Sequence, residues 1–117
     1  MRVIVVYPLC PAKGQDLEEI AFASVCGGFT EELRPWPDEP DVVLVRKRDD
    51  SVKIRQNRIP NRYIRDAKGK CIDIVYDPFI IAGKDENGYR SLNEFQRVKF
   101  GTMFKTPDDF GNKKYRV

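Results

Sequence analysis

Residues 56–83 read QNRIPNRYIRDAKGKCIDIVYDPFIIAG, and within this stretch the chain passes from charge to core. A basic, proline-broken connector (56–65) leads into the turn signal Asp66-Ala67-Lys68-Gly69. Cys71–Val75 and Phe79–Ala82 then follow as two apolar runs of strand character, separated by Tyr76-Asp77-Pro78. The connector is the ambiguous part. Ile59 and Ile64 are its main aliphatic anchors, while Pro60 disfavours a helical Ile59 and removes a backbone donor, so it reads as either a short helix starting at Pro60 or plain loop.

Upstream, Arg2–Tyr7 carries the β-branched run Val-Ile-Val-Val ended by Pro8, the pattern of a strand buried on both faces. After a loop marked by Pro8, Pro11 and Gly14, a helix is expected from about Asp16 to Cys26. Leu17, Ile20, Ala21, Ser24 and Val25 share one stripe of it, Phe22 and Cys26 form a second contact, Glu18 and Glu19 suit its first turn, and Gly27-Gly28 stops it. Phe29–Arg34 alternates, and the prolines at 35, 37 and 40 break the chain before Val42–Arg48. With Asp49-Asp50-Ser51 as a turn and Val52–Arg55 returning, 42–55 reads as a β-hairpin with a basic tip.

Downstream of Gly83, residues 84–88 form another turn. Ser91 and Glu94 match a capping box, and Leu92, Phe95, Val98 and Met103 continue a helical pattern to about Phe104. Two amphipathic helices and five or six strands pack most economically as an α+β domain, a mainly antiparallel sheet with both helices on one face. The expected domain is 1–104, with 105–117 a loosely held polar tail.

A chain of 117 residues fits one core, and 41% hydrophobic with 33% charged residues is the composition of a folded protein with a strongly charged surface. The five apolar residues after Arg2 are too few for a signal peptide or a membrane span, so a cytoplasmic location is expected. Cys10, Cys26 and Cys71 stand singly, which argues against a disulfide framework or a structural zinc site and for buried thiols.

Few residues are suited to catalysis. The absence of histidine removes the usual general acid–base near neutral pH and the commonest transition-metal ligand. Cys10 has Lys13 nearby but no base or orienting group, and Asp73, Asp77 and the Asp85-Glu86-Asn87 turn lack the further ligands of a metal site. Neither Gly27-Gly28 nor Lys13-Gly14 has the spacing of a phosphate loop. The expectation is a non-enzyme with no catalytic residue, metal or cofactor.

Charge is more informative. Residues 1–45 hold three Lys/Arg against eight Asp/Glu, whereas 46–70 hold ten against three. Arg46, Lys47, Arg48, Lys53 and Arg55 would cluster at the hairpin tip, with Arg58, Arg62 and Arg65 behind them on the connector and Tyr63 as a stacking ring. Such a patch can neutralise phosphates or meet an acidic protein surface. It can equally be a solvated face balanced by the acidic first third, in a domain with no charged site.

Pro60-Asn61-Arg62, Arg65-Asp66, Gly69, Asp73-Ile74-Val75, Phe79–Gly83 and Ser91-Leu92 together resemble a family of small uncharacterised proteins carried by bacterial phages, plasmids and conjugative elements. The valine-rich first strand and Val25–Phe29 resemble it too, so the likeness spans most of 1–104. It implies mobile-element accessory cargo, some of which antagonises host restriction or CRISPR systems by occluding a nuclease surface. Arg46–Arg48 and the residues after Lys105 fall outside the pattern. The resulting expectation is a non-enzymatic binding protein, an anti-defence inhibitor with an acidic protein partner, and the rival is a nucleic-acid-binding accessory protein.

Overall fold

The computed structural model describes residues 1–48 and 58–110. Along the chain lie β1 (Arg2–Val6), β2 (Lys13–Asp16), a 3-10 turn (Glu19–Ala21), α1 (Phe22–Cys26), β3 (Thr30–Leu33) and β4 (Val42–Lys47). After these come β5 (Pro60–Arg65), β6 (Cys71–Tyr76), β7 (Phe79–Asp85), β8 (Gly88–Arg90) and α2 (Glu94–Met103).

The three most apolar runs form the middle of a six-stranded antiparallel sheet, ordered β2-β1-β7-β4-β3 with β8 also paired to β7. Central β7 places Ile81 opposite both Ile4 and Leu44, and Ile80 opposite both Val5 and Val45. Alternate residues then serve two cores. On one face Ile4, Val6, Val42, Leu44, Phe79 and Ile81 pack with Trp36, Ile64, Val75, Phe100 and Phe104. On the other, Val3, Val5, Val43, Val45, Ile80 and Ala82 pack with Phe22 and Cys26. A strand buried on both faces has no polar side to display, which is why these runs are continuously apolar.

The α+β class and the antiparallel sheet with two helices stand as the sequence implies, but the helices lie on opposite faces rather than one, because Phe22 of α1 and Phe100 of α2 enter different cores. The long helix expected over 16–26 is also corrected. Its first residues are taken by β2, where Asp16 pairs with Arg2, and α1 is short and ends where Gly27 turns left-handed at φ 91°. The supposed stripe residues Ile20 and Ser24 are exposed, and Phe22 and Cys26 carry the contact.

The second helix begins later than expected. Asn93 caps it, with its side chain accepting from the Gln96 N–H and the Gln96 side chain accepting from the Asn93 N–H. Ser91 instead accepts the Arg2 N–H at 2.8 Å. Leu92 is buried as expected, but Gln96, Phe100 and Phe104 complete the inward stripe, and Phe95 is 72% exposed with Val98 and Met103 also open.

Residues 60–65 form neither a helix nor a loop but strand β5, which pairs with β6 in a separate two-stranded sheet. Pro60 sits at its first position, where a missing donor is tolerated. The expected return strand 52–55 lies outside the described residues, and β4 is filled on both edges, by β3 and β7. The segment after α2 is packed as far as Phe110, which is buried with its ring 4.6 Å from that of Tyr63. The domain therefore reaches at least residue 110.

Candidate functional site

The expected basic patch is divided by the fold. Arg62 is 1% exposed, and its guanidinium is surrounded by carbonyls. Nη1 donates to the Asn61 carbonyl at 3.1 Å and to Asn61 Oδ1 at 2.8 Å, while Nη2 donates to the Phe104 carbonyl at 3.0 Å and to that of Cys10. Burial lowers its pKa below the usual arginine value, opposed by the charges of Asp108 and Cys10. Asn61 Nδ2 completes the clasp, donating to the carbonyls of Val6 and Asp77 at 2.8 Å each. Asn61 and Arg62 thus tie the end of β1, the turn after it, the β6–β7 turn and the end of α2 to one hairpin.

Arg46 and Arg58 are also turned inward. Arg46 reaches Glu31 of β3 at 3.4 Å and Asp73 of β6 at 3.5 Å, and Arg58 Nε donates to Asp77 Oδ2 at 2.5 Å. Asp77 holds a left-handed φ of 59°, a conformation aspartate tolerates better than most residues, and so caps the β6–β7 turn. Asp73 and Asp77 therefore act as partners for arginines. Among the described residues no three His, Cys, Asp or Glu side chains are grouped to hold a metal ion. Lys47 is half-buried, Arg48 and Arg65 are exposed, and Lys53 and Arg55 lie outside the described residues. The eight arginines and lysines do not form one open surface as expected: three of them hold the fold together, because long cationic side chains here meet carbonyls and carboxylates from distant segments.

What the fold leaves open is a cleft of about 750 Å³ between the β3–β4 loop, the tip of the β5–β6 hairpin and the end of α2. Its floor is apolar, made by Trp36 between Pro35 and Pro37, Ile72 of β6 and Met103 of α2. Trp36 is fixed from behind by Phe100, with ring centroids 4.6 Å apart, whereas Ile72 and Met103 are about half exposed. The rim is charged: Arg65, Lys68 and Lys99 stand with Asp38 and Asp66.

These charges differ in what they are bound to. Lys99 pairs with Asp38 at 3.2 Å and Glu39 at 3.4 Å; exposure to burial would lower its pKa, but the two carboxylates outweigh that and raise it. Arg65 pairs with Asp108 at 3.1 Å and lies over the Tyr63 ring. Asp66 Oδ1 accepts the N–H groups of Lys68 and Lys70, closing the hairpin tip. The Lys68 ammonium has no carboxylate within ion-pair distance among the described residues. Of the cleft residues only Arg65 was anticipated as a site residue. Trp36, Ile72, Met103 and Lys68 come from three distant segments, and no local motif marks them.

A second polar group sits on the other face of the sheet. Glu32 accepts from Lys84 Nζ and the Tyr89 hydroxyl; burial pushes its carboxyl up, but these donors prevail and hold it below the ordinary value. Burial and the adjacent Glu32 raise the Tyr89 pKa. Each group in this cluster has its partner within the cluster. Of the thiols, Cys10 and Cys71 are exposed, contrary to expectation, and Cys26 is buried against the Val45 carbonyl. Among the described residues no helix is long and apolar enough to cross a membrane. No protein-family model, no curated protein and no solved structure matches this chain.

Proposed function

We propose that the chain is a non-enzymatic binding protein, accessory cargo of the mobile-element kind its sequence resembles, that engages a protein partner through the cleft beside Trp36. The observation that carries this reading is an open cleft of about 750 Å³ with an apolar floor and a charged rim of both signs, beside arginines that are engaged inside the fold. An apolar centre with a polar rim is the anatomy of a protein-binding surface. In the setting the resemblance implies, the partner is a cytoplasmic host defence nuclease of restriction or CRISPR type, and binding occludes its working surface. A nucleic-acid role would need a row of free cations along a backbone, and Arg46 and Arg62 are withdrawn from any such row.

Two measurements test this. One is fluorescence anisotropy with labelled duplex DNA, single-stranded DNA and RNA at low and near-physiological salt. The other compares wild type with Ile72→Asp in binding to the protein recovered from host lysate. The expected result is no salt-sensitive nucleic-acid binding, and about tenfold or greater loss of partner affinity in the variant with unchanged circular dichroism. Micromolar nucleic-acid binding that weakens linearly in log salt and is lost in Lys68→Glu would replace this reading with a nucleic-acid-binding accessory role.

A further inference from the structure

We infer that the cleft takes an acidic, extended peptide segment of the partner, one that carries an Asp or Glu beside a bulky apolar side chain. This rests on the reading of the cleft as the binding site and adds the chemistry of its occupant.

The shape comes first. Pro35 and Ile72 line the main cleft and also a second hollow of about 240 Å³, whose other walls include Leu33, Arg34, Ile64 and Asp73. The two hollows adjoin and run between the 33–38 segment and the hairpin. Two adjoining open hollows with prolines on one wall suit an extended chain better than a compact ligand.

The polar inventory then selects the occupant's charge. The carboxylates lining the groove are already engaged by donors of the protein itself: Asp38 by Lys99, Asp66 by two N–H groups of its own turn, and Asp73 by Arg46 and the Ile74 N–H. Pro35 and Pro37 have no N–H to offer. Among the described residues buried Trp36 Nε1 meets no acceptor, and the cations without an ion pair sit one in each hollow. Among the described residues Lys68 has no carboxylate within ion-pair distance, and Arg34 donates to the Pro40 carbonyl and forms no ion pair, feeling the Glu32 charge only at longer range. Spare donors with positive charge are complementary to carboxylates.

The apolar floor selects the anchor. Ile72 and Met103 remain half exposed against the rigid face of Trp36, so a Phe, Leu or Met side chain seated there would cover apolar surface that nothing in the described fold covers. Cations this few, on a rim that still holds Asp38 and Asp66, do not suit a phosphodiester backbone. The outward N–H of Ile74 on β6 is already taken by Asp73 Oδ1 at 2.8 Å, which works against strand addition there. Recognition therefore runs through side chains.

The test is selection of random linear peptides, displayed on phage, against the purified protein. Enriched sequences are then synthesised with amidated C-termini and titrated by calorimetry. Enriched peptides are expected to pair Asp or Glu with a neighbouring large apolar residue. Their affinity should fall about tenfold in Lys68→Glu and in Arg34→Glu, and should recover in Lys68→Glu when the peptide's acidic residue is changed to Lys. No enrichment, enrichment of basic or uncharged sequences, or binding indifferent to both charge reversals overturns the inference. Amidation excludes capture of a terminal carboxylate as the cause. The two readings fail separately: if partner binding is lost in Ile72→Asp and Met103→Asp but unchanged in Lys68→Glu and Arg34→Glu, the cleft is the site and the acidic occupant is wrong. If the first two variants also bind normally, the cleft reading itself falls.

Discussion

Tyr63 and Ile74 stand opposite each other across the β5–β6 hairpin, and each directs its backbone N–H not to the other but to an aspartate. Tyr63 donates to Asp108 Oδ2 at 2.9 Å and Ile74 to Asp73 Oδ1 at 2.8 Å. On each outer edge of the hairpin one N–H is thereby engaged by a carboxylate. An exposed strand edge invites pairing with another chain, and a charged side chain laid on it prevents that.

Asp108→Ala removes an acceptor from the Tyr63 N–H and a partner from Arg65. It should destabilise the protein by about 1–3 kcal/mol in urea titrations and speed amide exchange at Tyr63. Asp108→Asn keeps an acceptor oxygen and should lie between it and wild type. Equal exchange at Tyr63 in wild type and Asp108→Ala would show that the bond does not protect the edge.

The buried clasp is expected to matter more than any surface charge. Asn61→Ala leaves the carbonyls of Val6 and Asp77 without a donor, at about 1–3 kcal/mol for each buried unsatisfied group. Arg62→Lys keeps the charge but cannot span the carbonyls of Cys10, Asn61 and Phe104 at once, and should cost a similar amount. Chemical denaturation of both variants checks this; stability within error of wild type for Arg62→Lys would mean that charge alone holds the three segments.

Burial raises the Cys26 thiol from 9.0 to about 12. Its folded pKa lies above the unfolded one, so its contribution is fully present below about pH 9 and is lost as pH rises towards 12. Tyr89 shifts in the same direction. Thermal stability should therefore decline between pH 9 and 11, and a thiol reagent at pH 8 should label two cysteines in the folded protein and the third only on unfolding. Three equally fast thiols would contradict the burial of Cys26.

The phase of α2 can be read from two phenylalanines. Phe100 is fully buried against Trp36, and Phe100→Ala should cost about 3–5 kcal/mol. Phe95→Ser, on the solvent side, should change stability by about 0.5 kcal/mol or less. Similar losses in both would place the helix in the register that the sequence suggests.

Local pattern was enough for some of this and not for the rest. β1, β4 and β7 are legible because strands with buried faces must be apolar throughout or nearly so, and β6 by its β-branched run, although only Val75 of it is buried. β2 is not, since Lys13-Gly14-Gln15-Asp16 has no apolar residue and is a strand only because the edge of β1 needs a partner. For α2, Ser91/Glu94 and Asn93/Gln96 both fit the capping pattern, and the choice is made by Arg2, whose N–H takes the Ser91 hydroxyl. Arg62 looks like surface charge because the carbonyls that enclose it come from residues 10, 61 and 104. The cleft is hidden for the same reason: Trp36, Ile72 and Met103 meet only after the chain has folded.

The central place of β7 bears on how the protein is made. A ribosome delivers the chain from its first residue, yet β1 and β4 do not touch each other in the sheet; each waits for Phe79–Asp85 to arrive between them. Until then two runs rich in valine and isoleucine are paired on one edge only, by β2 and β3, and closing the sheet requires joining residues far apart in sequence, a slow step. Assembly of the sheet is thus postponed until Phe79–Asp85 has been made. A product cut short before residue 79 would be a sticky fragment for proteases and chaperones to find, not a partly working protein.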